Sequence, residues 1–181
     1  MRIVHENTTA LFIDFQERLF PVMNENDLLL KNTRILLEGL FILNIPAIFT
    51  QQYTKGLGPT IEELSSGVPD FSPIEKTDFS CYGAVDYRSY LEKNPSYGTI
   101  IICGIESHVC VLQTSVELKD AGYFPVVVTD CISSRTSISK AGALERFRFE
   151  NIMTTTCESL LFELTRTAKN DAFRAISKLV K

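Results

Sequence analysis

The stretch Thr99-Ile100-Ile101-Ile102-Cys103-Gly104-Ile105-Glu106-Ser107-His108-Val109-Cys110 decides the architecture. Its first five residues form a short apolar run, the pattern of a strand buried on both faces. Gly104 breaks the run. Ser107 then suits the start of a helix that reaches about Ala121, with Gly122 placed as its C-terminal cap. An apolar strand running straight into an amphipathic helix is the repeating unit of a parallel sheet.

The same unit recurs on both sides. Upstream, residues 8–15 read as a buried strand, with Ala10-Leu11-Phe12-Ile13 leading to Asp14. The polar run Asn24-Glu25-Asn26-Asp27 suits an N-cap, and Leu29, Leu36, Leu40 and Leu43 follow at close to helical spacing. Pro46 ends that helix and opens a strand over residues 47–50. Residues 51–58 form a polar loop in which Gly56-Leu57-Gly58-Pro59 reads as a turn, and residues 59–64 a short helix. Residues 74–79 are a third strand and residues 85–92 a helix stopped at Asn94-Pro95. Downstream come a strand over 124–128, a loop beginning at Asp130, a helix over 139–149, a strand over 151–154, and helices over 159–164 and 171–180. Six strands alternating with helices predict an α/β fold of three layers, αβα, with right-handed crossovers. There is no internal repeat or linker, so residues 1–181 are expected to form one domain.

Eighteen Lys and Arg against twenty-two Asp and Glu give a net charge of −4. That excludes the concentrated basic face of a nucleic-acid binder and the polybasic tract of a membrane anchor. The apolar runs at 100–103 and 125–128 are far too short to span a bilayer. Residues 1–7 hold no apolar segment before a cleavage site, so no secretion signal is expected. Five cysteines, an odd number with no CxxC pair, then read as reduced thiols in a cytoplasmic protein.

In folds of this kind, ligands bind beyond the carboxyl ends of the strands, where the strand order reverses. The polar residues found there are Asp14, Gln51 and Gln52, Lys76, the segment 104–110, and Asp130. Cys110 stands out. Near a helix start, free backbone N–H groups and the helix dipole favour an anion, so its thiol is expected to have a lowered pKa. Position alone leaves an inert buried cysteine open as the alternative. Cys103 lies within an apolar strand and reads as core, and Cys81, Cys131 and Cys157 as packing residues. His108 stands on a different helix face from Cys110 and reads as a pocket wall or interface residue. Only two histidines occur and none has metal-ligand spacing; no cofactor motif is present.

Together these segments resemble the isochorismatase-like cysteine hydrolases. The resemblance runs through residues 11–16 (Leu-Phe-Ile-Asp-Phe-Gln), 76–80 (Lys-Thr-Asp-Phe-Ser), 103–110 (Cys-Gly-Ile-Glu-Ser-His-Val-Cys) and 127–131 (Val-Val-Thr-Asp-Cys). Residues 52–60 (Gln-Tyr-Thr-Lys-Gly-Leu-Gly-Pro-Thr) are most similar to the isochorismatase domain-containing proteins. The resemblance implies a Rossmann-like sheet of order 3-2-1-4-5-6. It implies a catalytic triad of Asp14, Lys76 and Cys110, with a thioester formed on Cys110 from a small-molecule amide or related C–N bond. It also implies a non-proline cis peptide at Ile105–Glu106, turning the Glu106 N–H toward an oxyanion beside the Cys110 N–H. Oligomerisation with further copies of the chain is implied as well. Phe15, Gln16, Phe20, Tyr53, Phe79 and His108 are candidates to line the substrate pocket, with core packing the competing reading for each aromatic. Nicotinamidase relatives carry an Asp and two His for a metal near the second-strand loop; Gln51, Gln52 and Tyr53 stand there instead, so no metal is expected. A non-catalytic metabolite-binding module, or a thiol redox sensor, are the alternatives to a hydrolase.

Overall fold

The computed structural model describes residues 2–181. Six parallel strands make one sheet in the order β3-β2-β1-β4-β5-β6. They are β1 (Thr8–Ile13), β2 (Ala47–Gln52), β3 (Ile74–Lys76), β4 (Thr99–Ile105), β5 (Phe124–Ser133) and β6 (Met153–Thr155). The helices are α1 (Asn26–Ile42), the single turns α2 (Thr54–Leu57) and α3 (Glu62–Ser65), α4 (Val85–Lys93), α5 (Leu112–Asp120), α6 (Ser137–Phe149), α7 (Cys157–Thr165) and α8 (Phe173–Leu179). The α/β sheet expected from the alternating pattern is present, in the strand order the resemblance implies.

Period-2 alternation sorts the side chains of the sheet into two cores. Phe12, Ile101, Cys103 and Val126 face one side, where Leu36, Leu40 and Leu161 of α1 and α7 cover them. Leu11, Ile13, Ile100, Ile102 and Val127 face the other, against Tyr87, Leu118 and Phe147 of α4, α5 and α6. All six residues of β1 and all seven of β4 are buried. A strand covered on both faces therefore reads as an unbroken apolar run.

Several boundaries differ from the sequence expectation, each for a local reason. Gly104 does not break β4; it lies inside it at φ 137. A Cβ there would stand 2.3 Å from the Ile13 carbonyl oxygen, so only glycine lets β1 and β4 approach. Proline does not end α1. Asn44, at φ 55, closes it: the Ile45 N–H bonds to the Leu40 carbonyl and the Asn44 N–H to that of Phe41. The polar run before α1 supplies no side-chain cap; Glu25 enters the helix with left-handed backbone. β5 continues to Ser133, past Asp130, after a register shift against β4 between Ile102 and Gly104. The Gly56-Leu57-Gly58 turn is the end of the helical turn α2, and the next short helix starts at Glu62 rather than Pro59. β3 stops at Lys76.

Because β1 is flanked by β2 on one side and β4 on the other, the chain reverses direction across the sheet between β1 and β4. The crevice for a ligand opens beyond their carboxyl ends.

Candidate active site

Three side chains from separate elements meet beyond those ends. β1 stops at Ile13, and Asp14 turns out of the strand at φ 54, a conformation aspartate tolerates better than most residues. Lys76 is the last residue of β3. Its Nζ lies 2.6 Å from Asp14 Oδ2, and neither side chain is exposed at all. The ammonium also donates to Gln52 Oε1 at 2.7 Å and contacts the carbonyls of Phe79 and Asp78 at 3.2 and 3.3 Å. Its three protons are fully used among these acceptors. Burial acts to lower the Lys76 pKa, but the Asp14 carboxylate, with the thiols of Cys81 and Cys110, outweighs it and moves it up. Lys76 is thus a held cation.

Cys110 follows β4 and lies against the Asp14–Lys76 pair, 6% exposed. The helix start differs from the expectation. Glu106, not Ser107, occupies the capping position, and residues Ser107–Val111 form one wide turn in which the Val111 N–H reaches back to the Glu106 carbonyl. The Ser107 hydroxyl is buried without a partner. The thiol pKa is also opposite to the expectation. Burial pushes it up, the Asp14 charge adds to this, and Lys76 only partly opposes it. Cys110 rests as a thiol because desolvation and an adjacent carboxylate outweigh the helix start.

The Ile105–Glu106 peptide bond is cis. The Glu106 carboxylate accepts from both the backbone N–H and Nε of Arg135, each at 3.1 Å. His108 is half-buried, and its Nδ1 lies 2.9 Å from Ser134 Oγ, so its ring partner is not Cys110.

The aromatic candidates divide. Phe15 and Phe20 are buried in the core on the α1 side of the sheet, tilted against one another, whereas Cys110 packs in the core on the other side. They are packing residues, not pocket walls. Gln16 is wholly buried and its amide is a strut: Nε2 donates to the carbonyls of Gln52 and Gly58, and Oε1 accepts from the Gln52 N–H. It ties the segment after β1 to the segment after β2. Tyr53, next to Gln52 in the chain, and Phe79, three residues after Lys76, keep about half their surface exposed. Gln51 is turned away from the site, toward Thr60 and Thr54.

The roles of three further residues escaped the sequence reading, although Gln52 is among its polar strand-end residues. Thr50 Oγ1 donates to Asp14 Oδ1 at 2.8 Å. Gln52 accepts from Lys76. Cys81, read as packing, has its sulfur 3.6 Å from Thr50 Oγ1 and lies in the field of Asp14 and Lys76; burial first, then Asp14, push its pKa up to about 12. A signal existed for two of them. Thr50 and Gln52 are two residues apart at the end of a strand, so they share a face.

The family model described as "Isochorismatase domain" matches residues 8–157. A secreted isochorismatase effector of Phytophthora sojae is 34% identical over 183 residues, which cover 99% of this chain and 87% of that protein. Isochorismatase domain-containing protein 2 of Danio rerio is 35% identical over 179 residues, 99% of this chain and 89% of its own length. Among solved structures, the MAR1 ribonuclease of Caenorhabditis elegans superposes with a TM-score of 0.92 at 31% identity, covering 99% of this chain and 92% of that one.

Proposed function

The chain belongs to the isochorismatase domain family, and on that premise we propose that it is a cysteine hydrolase cleaving a small-molecule amide or related C–N bond. The observation that carries this reading is the fully buried Asp14–Lys76 pair at 2.6 Å with the Cys110 thiol against it. A buried ion pair of this kind is costly to assemble unless further groups satisfy it, and such groups cluster where chemistry is done.

The resting state is thiol, carboxylate and ammonium. As Cys110 Sγ bonds to the substrate carbonyl carbon, its proton passes to Asp14, so no free thiolate accumulates. The backbone N–H groups of Glu106 and Cys110 receive the oxyanion of the tetrahedral intermediate. The C–N bond then breaks, and Asp14 returns the proton to the departing nitrogen. The product at this stage is a thioester on Cys110. Asp14 next takes a proton from water as it attacks the thioester, and the intermediate expels Cys110, which regains that proton. Lys76 never transfers a proton; its charge holds Asp14 in place. The half-exposed rings of Tyr53 and Phe79, with His108, are the candidate walls for the substrate.

A phosphate-cleaving reading has less support: the chain is acidic overall and the Lys76 ammonium is saturated. All five cysteines are free and buried, which favours a reducing, cytoplasmic location, although one relative is a secreted protein. No helix among the described residues is long and apolar enough to cross a membrane. Exposed Ile138 and Phe149 on α6 are candidates for contact with another copy of the chain, to be read from the mass in solution.

The test is a panel of primary and N-carbamoyl amides, with an RNA substrate as control. Turnover of an amide, lost in Cys110→Ala and accompanied by an acyl adduct on Cys110 in intact-mass spectra, is expected. RNA cleavage that survives Cys110→Ala would sink the proposal.

A further inference from the structure

Two uncharged polar side chains of β2, Thr50 and Gln52, hold the Asp14–Lys76 pair. Asp14 is gripped on both oxygens: Lys76 holds Oδ2 at 2.6 Å and Thr50 holds Oδ1 at 2.8 Å. Thr50 has a single hydroxyl proton, and a carboxylate paired with an ammonium can only accept. That proton therefore points to Asp14. The Thr50 oxygen is left to accept from Cys81, whose sulfur is 3.6 Å away and which is fully buried. Cys81 is itself fixed, since its backbone N–H donates to Thr114 Oγ1 of α5 at 2.9 Å. Thus a directed chain of donors runs from Cys81 through Thr50 to Asp14.

We infer that Thr50 is a positioning residue for the proposed reaction, fixing the Asp14 carboxylate through Oδ1 so that its remaining lone pairs face Cys110. The inference rests on the reading of Asp14 as the base for Cys110. A hydrogen bond donated to a carboxylate also favours its charged form. The titratable groups facing Asp14 are Lys76 from β3, Cys81 from the turn after it and Cys110 from the turn after β4. From β2 come only Thr50 and Gln52, which cannot titrate.

The test needs no substrate. The rate of Cys110 carbamidomethylation by iodoacetamide is measured from pH 4 to 9 by peptide mass spectrometry, for wild type, Thr50→Val and Thr50→Ser, with circular dichroism to verify folding. Protonating Asp14 removes the acceptor for the thiol proton, so the wild-type rate falls on the acid side. In Thr50→Val, the midpoint of that fall is expected to move up by about 1–2 pH units, the scale of one hydrogen bond to a charged group. Thr50→Ser, which keeps the hydroxyl, is expected to leave it in place. If Thr50→Val does not fold, the smaller Thr50→Ala carries the same measurement. A folded Thr50→Val with an unmoved midpoint overturns the inference, including the case where its rate drops equally at every pH. A wild-type Cys110 that does not react, or reacts with no acid limb, overturns instead the reading of Asp14 as base on which the inference rests.

Discussion

Replacing Lys76 by methionine keeps the unbranched stem of the side chain and removes the ammonium with its charge. The structure states what is lost. Asp14 Oδ2 loses a partner at 2.6 Å, and the acceptors on Gln52 and Phe79 lose a donor, all in a site where neither member of the ion pair is exposed. Breaking a buried pair by removing one partner costs about 3–5 kcal/mol, because a charge is left without compensation. For a chain of this size that is roughly a 6–20 °C fall in Tm. Asp14→Asn in the same background removes the stranded charge. The double variant Lys76→Met/Asp14→Asn is therefore expected to be more stable than Lys76→Met alone, though inactive. Urea unfolding at pH 7 of the wild type, both single variants and the double variant closes the cycle. The pH dependence follows from the same pair. The folded-state pKa of Lys76 is raised above its ordinary 10.5. Its contribution is then fully present below about pH 10.5 and is lost as pH rises through the raised value. The penalty of Lys76→Met should be equal at pH 7 and pH 9, and shrink only in stronger base. A double variant no more stable than Lys76→Met would refute the reasoning, since the cost would then lie in packing and not in charge.

Other outcomes follow from single features. Gly104→Ala should destabilise by several kcal/mol and lower reactivity at Cys110, because the new Cβ meets backbone of β1 at 2.3 Å and displaces the strand that carries Asp14; thermal melting and alkylation rates read both effects. In native protein at pH 8, iodoacetamide should label Cys110, 6% exposed beside Asp14, while Cys81, wholly buried, reacts only after unfolding; equal labelling of the two would contradict this difference in burial. Asp14→Asn should slow Cys110 labelling at pH 7 at least tenfold, since Asn cannot take the thiol proton, with peptide mass spectrometry as the readout. Ser107→Ala should be neutral or slightly stabilising by urea melting, because it removes a buried hydroxyl that has no partner.

The fold was legible because its strands are buried on both faces. Runs such as Ala10 to Ile13 and Ile100 to Cys103 have no polar face to blur them, and glycine and proline punctuate the connections. The ends of elements were less legible, since they rest on geometry that composition does not record. Gly104 looks like a breaker in sequence and is instead a close approach between strands. Asn44 closes α1 by its left-handed backbone although the proline two residues later seemed the stronger signal. At the site, Asp14, Lys76 and Cys110 were picked out by their places after strands, together with the resemblance that linked them. Phe15 was misplaced because the turn at Asp14 sends the next side chain to the other core. The Cys110 pKa was misread for a related reason: a helix start is visible in sequence, whereas burial beside a carboxylate appears only when three distant segments come together.

The alternation of side chains across the sheet has one more consequence. Cys81 and Cys110 lie on the α4–α5 side, while Cys103, Cys131 and Cys157 lie on the α1–α7 side. The sheet is a partition between two thiol compartments. Cys103 is seven positions from Cys110 in sequence yet stands behind a wall of backbone. Any crosslink, metal ion or oxidant that bridges cysteines must choose one compartment. Cys81 is then the one thiol that shares a core with Cys110, and the sheet separates both from the three sulfurs on the α1–α7 side.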